Sequence, residues 1–74
     1  MSSLRVLFGQ RLRQLRREKY FTHQRLAKAA GMSVDFISLL ERGKTSPSLV
    51  TLEKLANALE CPIKDLFDFE GYSY

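Results

Sequence analysis

The side chains in this sequence that are best suited to binding chemistry are basic, and they are unevenly placed. Residues 1–44 carry ten Lys and Arg against three acidic residues, whereas residues 45–74 carry two against five. The first part has a formal charge of +7 and the second a formal charge of −3. A basic front is typical of proteins that meet a polyanion such as nucleic acid. The alternative is that these charges only solvate the exposed faces of helices.

Residues that support catalysis or metal binding are scarce. The chain has one histidine, His23, and one cysteine, Cys61, so it can form neither an internal disulfide nor a Cys/His metal cluster. No nucleophile stands at a recognised spacing from His23. The sequence therefore predicts no metal, no cofactor and no enzymatic activity.

The 74 residues, 45% of them hydrophobic, predict one domain over 1–74 with its core within 5–69. No apolar run approaches the roughly 18 residues of a membrane span, and the N-terminus lacks the pattern of a signal peptide. We therefore expect a cytoplasmic protein with no membrane partner. A chain of this size buries only about 60% of its unfolded surface, so pairing with a second copy would add stability.

The spacing of apolar residues predicts helices and no strand. Steps of three and four residues mark a basic amphipathic first helix over 4–15, and two shorter helices follow over Thr22–Ala30 and Ser33–Arg42. Thr22 and Ser33 are N-cap residue types, and Gly31 can take the left-handed conformation that ends a helix. Two short helices joined by such a turn have the spacing of a helix-turn-helix.

The second half continues the helical pattern after the break at 45–48. Apolar residues at helical spacing predict a fourth helix over 49–59 and a short fifth over 63–67, beyond Pro62. From Phe8 to Phe67 the chain then shows a long ordered set of motifs, namely Thr22, Leu26-Ala27, Ala30-Gly31, Ser33, Ile37-Ser38, Glu41-Arg42-Gly43-Lys44, Pro47-Ser48-Leu49, Thr51-Leu52, Leu55-Ala56, Ala58-Leu59 and Asp65-Leu66-Phe67.

These motifs resemble the Xre/Cro-type helix-turn-helix family, which includes phage repressors, Cro proteins and the controllers of restriction-modification operons. The resemblance implies an all-α, five-helix, lambda-repressor-like DNA-binding domain with the helix-turn-helix at helices 2 and 3. In such a domain the third helix lies in the major groove of double-stranded DNA, and the second crosses the backbone.

Three positions depart from the family pattern. Tyr20 and Glu60 stand where the family usually has glycine, and Pro62 stands where a Ser or Thr cap is usual. A left-handed conformation is unfavourable for a bulky residue, so the first turn is expected to be either strained or differently routed. Proline is acceptable near a helix start, so we expect the fifth helix to form.

The third helix offers side chains that can read bases. Its apolar stripe, Ile37 and Leu40, faces inward and leaves the other side exposed. Asp35 can accept from cytosine N4, Ser38 can serve either base type, and Val34 can pack on a thymine methyl. The alternatives are that Asp35 only complements the helix dipole and that Val34 is an ordinary exposed apolar residue. We predict base contacts from Val34, Asp35, Ser38 and Leu39.

Phosphate contacts are predicted at the two edges of the helix-turn-helix. Helix N-termini, hydroxyl groups and basic side chains bind phosphates whatever the base sequence. In the family the position of His23 is commonly a glutamine that donates to a phosphate. The alternative is a set of solvated surface residues without a role. The predicted contacts are His23, Gln24, Phe36, Arg42, Lys44, Thr45 and Ser46, with long-range attraction only from Arg11, Arg13, Arg17, Lys19, Arg25 and Lys28.

Two structural expectations complete the interpretation. Arg16 and Glu41 match a pair that, in the family, bridges the first and third helices as a buried ion pair.

The apolar and aromatic residues near the C-terminus predict a homodimer interface, with 70–74 as a tail connected to it. The alternative is that Leu66 and Phe67 belong to the monomer core. The predicted interface residues are Ile63, Leu66, Phe67, Phe69 and Tyr72.

The sequence is thus interpreted as a DNA-binding transcriptional regulator, homodimeric on a near-palindromic operator and autoregulatory, of the phage or plasmid repressor or restriction-modification controller type. The alternative, from another class, is an antitoxin or adaptor that keeps this fold and uses its aromatic C-terminal segment on a protein partner.

Overall fold

A computed structural model describes residues 3–70 of the chain. Over this range it contains four α-helices, α1 (Leu4–Glu18), α2 (His23–Ala30), α3 (Val34–Glu41) and α4 (Leu49–Leu59), followed by a 3₁₀ helix (Ile63–Phe67), and no strand. The predicted all-α fold, with α2 and α3 as the helix-turn-helix, is confirmed. The predicted fifth helix is present, but it is a short 3₁₀ helix and not an α-helix.

Each α-helix begins at a Ser or Thr whose hydroxyl satisfies a backbone N–H that has no partner within the helix. The hydroxyl oxygen of each cap accepts from the N–H three residues further on, at 3.0–3.3 Å. The 3₁₀ helix follows Pro62, which supplies no such bond. The four caps are Ser3, Thr22, Ser33 and Ser48.

Each α-helix also ends in the same two-bond turn, built on a residue with positive φ. After α1, for example, the Tyr20 N–H donates to Arg17 O at 2.9 Å and the Phe21 N–H donates to Arg16 O at 3.0 Å. The φ angles are 59° at Tyr20, 70° at Gly31 and Gly43, and 55° at Glu60. The turn after α1 therefore has the left-handed conformation that a glycine would adopt there. Tyr20 and Glu60 both adopt this conformation despite their side chains.

We expect Tyr20→Gly to raise the free energy of unfolding by about 0.5–1 kcal/mol, because glycine has no steric penalty in the left-handed region. The Tyr20 side chain is 91% exposed, so little packing is lost. Glu60→Gly, also at an exposed site, should act in the same direction.

Urea denaturation at fixed pH measures both variants. Gly31→Ala is the matched control, because no atom lies within 4 Å of the position its Cβ would take, so only the backbone effect remains. This variant should be destabilised. A Tyr20→Gly protein less stable than the parent would show that Tyr20 makes a stabilising contact.

The core lies between α1, the helix-turn-helix and α4. Phe8, Leu12, Leu26, Ile37, Leu40, Leu55, Leu59 and Leu66 are its largest fully buried side chains. Gly9 lets α3 pack directly on the backbone of α1. A Cβ on Gly9 would lie 2.5 Å from Leu40 O and 2.6 Å from Glu41 O, so α3 is seated against α1 without a side chain between them.

The position of Leu66 corrects one sequence-based prediction. Leu66 was expected at a dimer interface, but its side chain is fully buried in the core of one copy. Phe67, beside it, is partly exposed and packs its ring on Phe8 at a centroid distance of 5.5 Å. The alternative interpretation, in which these residues belong to the monomer core, is therefore correct for Leu66 and partly so for Phe67. Among residues 3–70, no helix is long and apolar enough to cross a membrane.

Candidate nucleic-acid interface

The residues that α3 buries in the core determine which of its faces is exposed. α3 buries Ile37, Leu40 and Glu41. At 100° per residue the opposite face carries the four predicted base-contact residues. Val34 and Leu39 are 40% and 37% exposed, Asp35 is exposed, and Ser38 is partly buried between them. The structure thus brings Val34, Asp35, Ser38 and Leu39 together on one surface of the domain.

Phe36 does not fit its predicted role as a phosphate contact. Its side chain packs against the core and has no polar atom, and its backbone N–H donates to Ser33 Oγ at 3.1 Å. The only donor that Phe36 could offer a phosphate is therefore already used by the N-cap of α3.

The other predicted phosphate contacts lie before and after α3 along the chain, with His23 and Gln24 in α2 and the remainder directly after α3. Gln24 is exposed in the first turn of α2, where backbone N–H groups and the helix dipole favour an anion. Arg42, Lys44 and Ser46 are exposed just after α3, and Thr45 is partly buried there. Arg42 lies back along α3, with Nε 3.4 Å from Ser38 O. The residue types and placement of both groups suit contact with a phosphate backbone on either side of a major groove.

His23 has an internal partner that the sequence interpretation did not include. Its Nε2 lies 3.0 Å from Glu41 Oε1, which joins the first residue of α2 to the last residue of α3. This contact occupies the ring nitrogen that would otherwise be free to donate to a phosphate. A phosphate contact from His23 would have to use Nδ1.

Glu41 is the centre of a charged cluster beneath the interface. Arg16 donates to it from Nε at 2.6 Å and from Nη2 at 3.2 Å, and Arg13 Nε lies 3.5 Å from Oε1. The Glu41 side chain is 1% exposed and that of Arg16 is 9% exposed. Burial raises the pKa of Glu41, but hydrogen bonds from Arg16 and His23, together with their charges, outweigh it and hold the pKa below its ordinary value.

The geometry of this cluster fixes α3 relative to α1 and α2. Arg16 also donates from Nη1 to Phe21 O at 2.8 Å, so the turn between α1 and α2 is tied to the same guanidinium. One carboxylate thus connects three helices, whereas the resemblance implied only a bridge between α1 and α3 through Arg16 and Glu41. Its function is structural, because it orients the exposed face of α3 and does not itself reach the surface.

Sequence reasoning missed the partners of three arginines that it had assigned only to long-range attraction. Arg13 contacts Glu41, Arg11 donates from Nε to Asp65 O at 2.7 Å, and Arg25 lies over the ring of Phe21 at 5.5 Å. No sequence signal identifies the contact of Arg11, since Arg11 and Asp65 are 54 residues apart, whereas Arg25 and Phe21 are only four residues apart and their contact could have been considered. Within 3–70, no group of three or more His, Cys, Asp or Glu side chains is arranged to hold a metal ion.

Comparisons with known proteins agree on one family. The family model described as a helix-turn-helix domain matches residues 7–67. The chain is 44% identical, over 80% of its length, to the HTH-type transcriptional regulator DdrOP3 of Deinococcus deserti, of which it spans 46%. It is 39% identical, over 92% of its length, to the control protein C.BamHI of Bacillus amyloliquefaciens, of which it spans 85%.

The solved structures agree with the sequence relatives. The restriction-modification controller protein C.AhdI of Aeromonas hydrophila superposes with a TM-score of 0.84 and 41% identity, covering 85% of this chain and 96% of the controller. The fold, the exposed α3 face and these matches lead to one conclusion. The chain belongs to the helix-turn-helix domain family.

Proposed function

We propose that this protein is a sequence-specific DNA-binding regulator of transcription, of the controller type, that acts as a homodimer on a near-palindromic operator. One observation carries the proposal: α3 presents Val34, Asp35, Ser38 and Leu39 on an exposed face, with further exposed polar and basic side chains in α2 before it and in the turn after it. α3 would lie in the major groove, with Gln24 on one side and Arg42, Lys44, Thr45 and Ser46 on the other. The similarity to C.BamHI and C.AhdI over most of their lengths supports the controller type.

The proposed activity is binding without catalysis. The Glu41 carboxylate is buried and its contacts hold three helices together, and the exposed α3 face carries no residue set typical of a catalytic site. DNA binding of this kind needs neither a metal nor a cofactor. We therefore propose that the protein acts through occupancy of its DNA site, on the promoter of its own gene among others.

The proposal is tested by selection from random duplexes, followed by fluorescence anisotropy at physiological salt. The selected duplex should bind at least about 10³-fold more tightly than a scrambled duplex of the same composition. DNA from immediately upstream of the gene tests autoregulation in the same assay. Equal, weak binding to every duplex would contradict the proposal and direct attention to a protein partner.

Two copies are needed because one domain presents one recognition helix. The described chain measures 32 × 22 × 21 Å, whereas half-sites on one face of DNA are about 34 Å apart. Of the predicted interface residues, Ile63 is 47% exposed, Phe67 is partly exposed, and Phe69 lies against Phe67 at 6.1 Å. We propose that these three residues contribute to the dimer contact, without Leu66. Tyr72 lies outside the described residues.

Ile63→Glu is expected to shift the protein towards monomer and to weaken operator binding, because it places a charge in an apolar contact. Sedimentation equilibrium over a range of protein concentrations measures the change. Asn57→Glu is the matched control, since it adds the same charge at an exposed polar site on α4. Dimers that persist in Ile63→Glu at the parent's affinity would place the interface elsewhere.

A further inference from the structure

The residue types on the exposed face of α3 indicate which bases it reads. We propose that α3 reads the pyrimidines of its operator, with Val34 and Leu39 against thymine methyl groups and Asp35 accepting from the amino group of a cytosine. This inference rests on the proposed DNA-binding function and deepens it, because it gives the chemical class of the bases that the site selects.

The first observation is the absence of purine-reading side chains from α3. Its eight residues, Val34–Glu41, include no Arg, Lys, Asn or Gln. Paired hydrogen bonds to guanine come from Arg or Lys, and those to adenine from Asn or Gln. Arg42 follows α3 and lies back along it towards Ser38 O, Gln24 belongs to α2, and Arg13 and Arg16 are held by the Glu41 carboxylate. The helix itself therefore has no means of binding a purine edge through two hydrogen bonds.

The second observation is the arrangement of what α3 does carry. At 100° per residue, Asp35 and Ser38 lie near the middle of the exposed face, and Val34 and Leu39 lie at its two sides. Both apolar side chains remain more than one third exposed, whereas Ile37 and Leu40 of the same helix are fully buried in the core. In the major groove only thymine offers an apolar group, its 5-methyl. Thymine is thus the base that this pair of side chains fits.

The third observation concerns the carboxylate of Asp35. Within residues 3–70 it has no hydrogen bond and no ion pair, so its acceptor capacity is unused. The N-cap of α3 is already provided by Ser33, which accepts from the Phe36 N–H. A carboxylate close to phosphates is repelled unless it receives a donor, and cytosine N4 is the major-groove donor of a pyrimidine.

The thymine contacts are tested on the duplex selected by the parent protein. Each thymine is replaced in turn by deoxyuridine, which lacks the 5-methyl, and affinity is measured by anisotropy. We expect at least one replacement in each half-site to weaken binding about fourfold, the factor that corresponds to one buried methyl-sized group. That loss should disappear in Val34→Ala or Leu39→Ala, depending on the position.

Leu4→Ala is the matched control, because Leu4 is an exposed apolar residue that belongs to α1 and not to the exposed face of α3. It should keep the full loss on deoxyuridine substitution. The thymine part of the inference is overturned if no replacement weakens binding, or if the loss is unchanged in both Val34→Ala and Leu39→Ala. Because the parent's preference for the selected duplex is measured first, this failure leaves the proposed function standing.

The cytosine contact is tested by repeating the selection with Asp35→Asn. Asparagine pairs with adenine, so we expect one cytosine in each half-site to be replaced by adenine, with a preference of about tenfold. Circular dichroism checks that the variant is folded. An unchanged selected sequence together with a lower melting temperature would show that Asp35 only complements the dipole of α3, and would overturn this part of the inference.

Discussion

Glu41→Ala is expected to unfold the domain and thereby to abolish DNA binding. The substitution removes the acceptor of two Arg16 hydrogen bonds and leaves that guanidinium buried beside His23 and Arg13 without a counter-charge. Breaking a buried ion pair by removing one partner costs about 3–5 kcal/mol. The core of a domain this small supplies about the same amount. Thermal denaturation followed by circular dichroism measures the effect, and an unchanged melting temperature would contradict it.

A second variant separates the loss of the ion pair from the loss of volume. Arg16→Met combined with Glu41→Leu replaces both charges by apolar side chains of similar size, a change that is often neutral or stabilising in other buried pairs. This double variant should be more stable than Glu41→Ala. If both variants unfold equally, the cluster stabilises the domain through the contacts of Arg16 with the turn at Phe21 or of Glu41 with His23.

The same cluster gives stability a defined pH dependence. Because the pKa of Glu41 is lowered in the folded state, the unfolded chain takes up the proton more readily. The ion pair therefore contributes fully to the free energy of unfolding above the ordinary glutamate pKa of about 4.3. This contribution is lost as the pH falls from there through the pKa that Glu41 has in the folded state. In Glu41→Gln this part of the acid dependence should be missing from the unfolding curves.

Local chemistry explains why the sequence predicts the helices so well. Thr22 and Ser33 cap the helices that they were expected to cap, and Gly31 takes the left-handed conformation between them. The 3₁₀ helix is the exception, because Pro62 offers no side-chain cap and the Asp65 N–H bonds back to Pro62 O with the three-residue spacing of a 3₁₀ turn.

The contacts of the charged cluster, which the sequence does not predict, join residues that are distant along the chain. His23 and Glu41 are 18 residues apart, and neither residue type nor spacing shows that they meet. Leu66 has the same helical spacing whether it faces the core or a second copy, so only packing decides. By contrast, the exposed face of α3 is fixed by periodicity alone, which is why Val34, Asp35, Ser38 and Leu39 are found together where the pattern predicts them.

DNA binding should weaken steeply with salt. If the dimer contacts about 6–10 phosphates, affinity for the selected duplex should fall about 10³- to 10⁵-fold between 50 and 200 mM salt, because each neutralised phosphate releases counterions. Anisotropy titrations at several salt concentrations give the slope of log affinity against log salt. A flat response would contradict the proposed DNA-binding function.

The position of the contacts is tested by removing two charges from each copy. Arg42→Ala combined with Lys44→Ala takes four cations from a dimer and should lower the slope by about 3.6, at about 0.9 for each phosphate contact. Lys54→Ala combined with Lys64→Ala changes the net charge equally, but both of these lysines are exposed on the acidic half of the chain. The salt slope of this control variant should match that of the parent protein. An equal decrease in both variants would mean that net charge, and not the group of donors after α3, produces the attraction, whereas a decrease confined to Arg42 and Lys44 places the phosphate backbone beside the C-terminal end of α3.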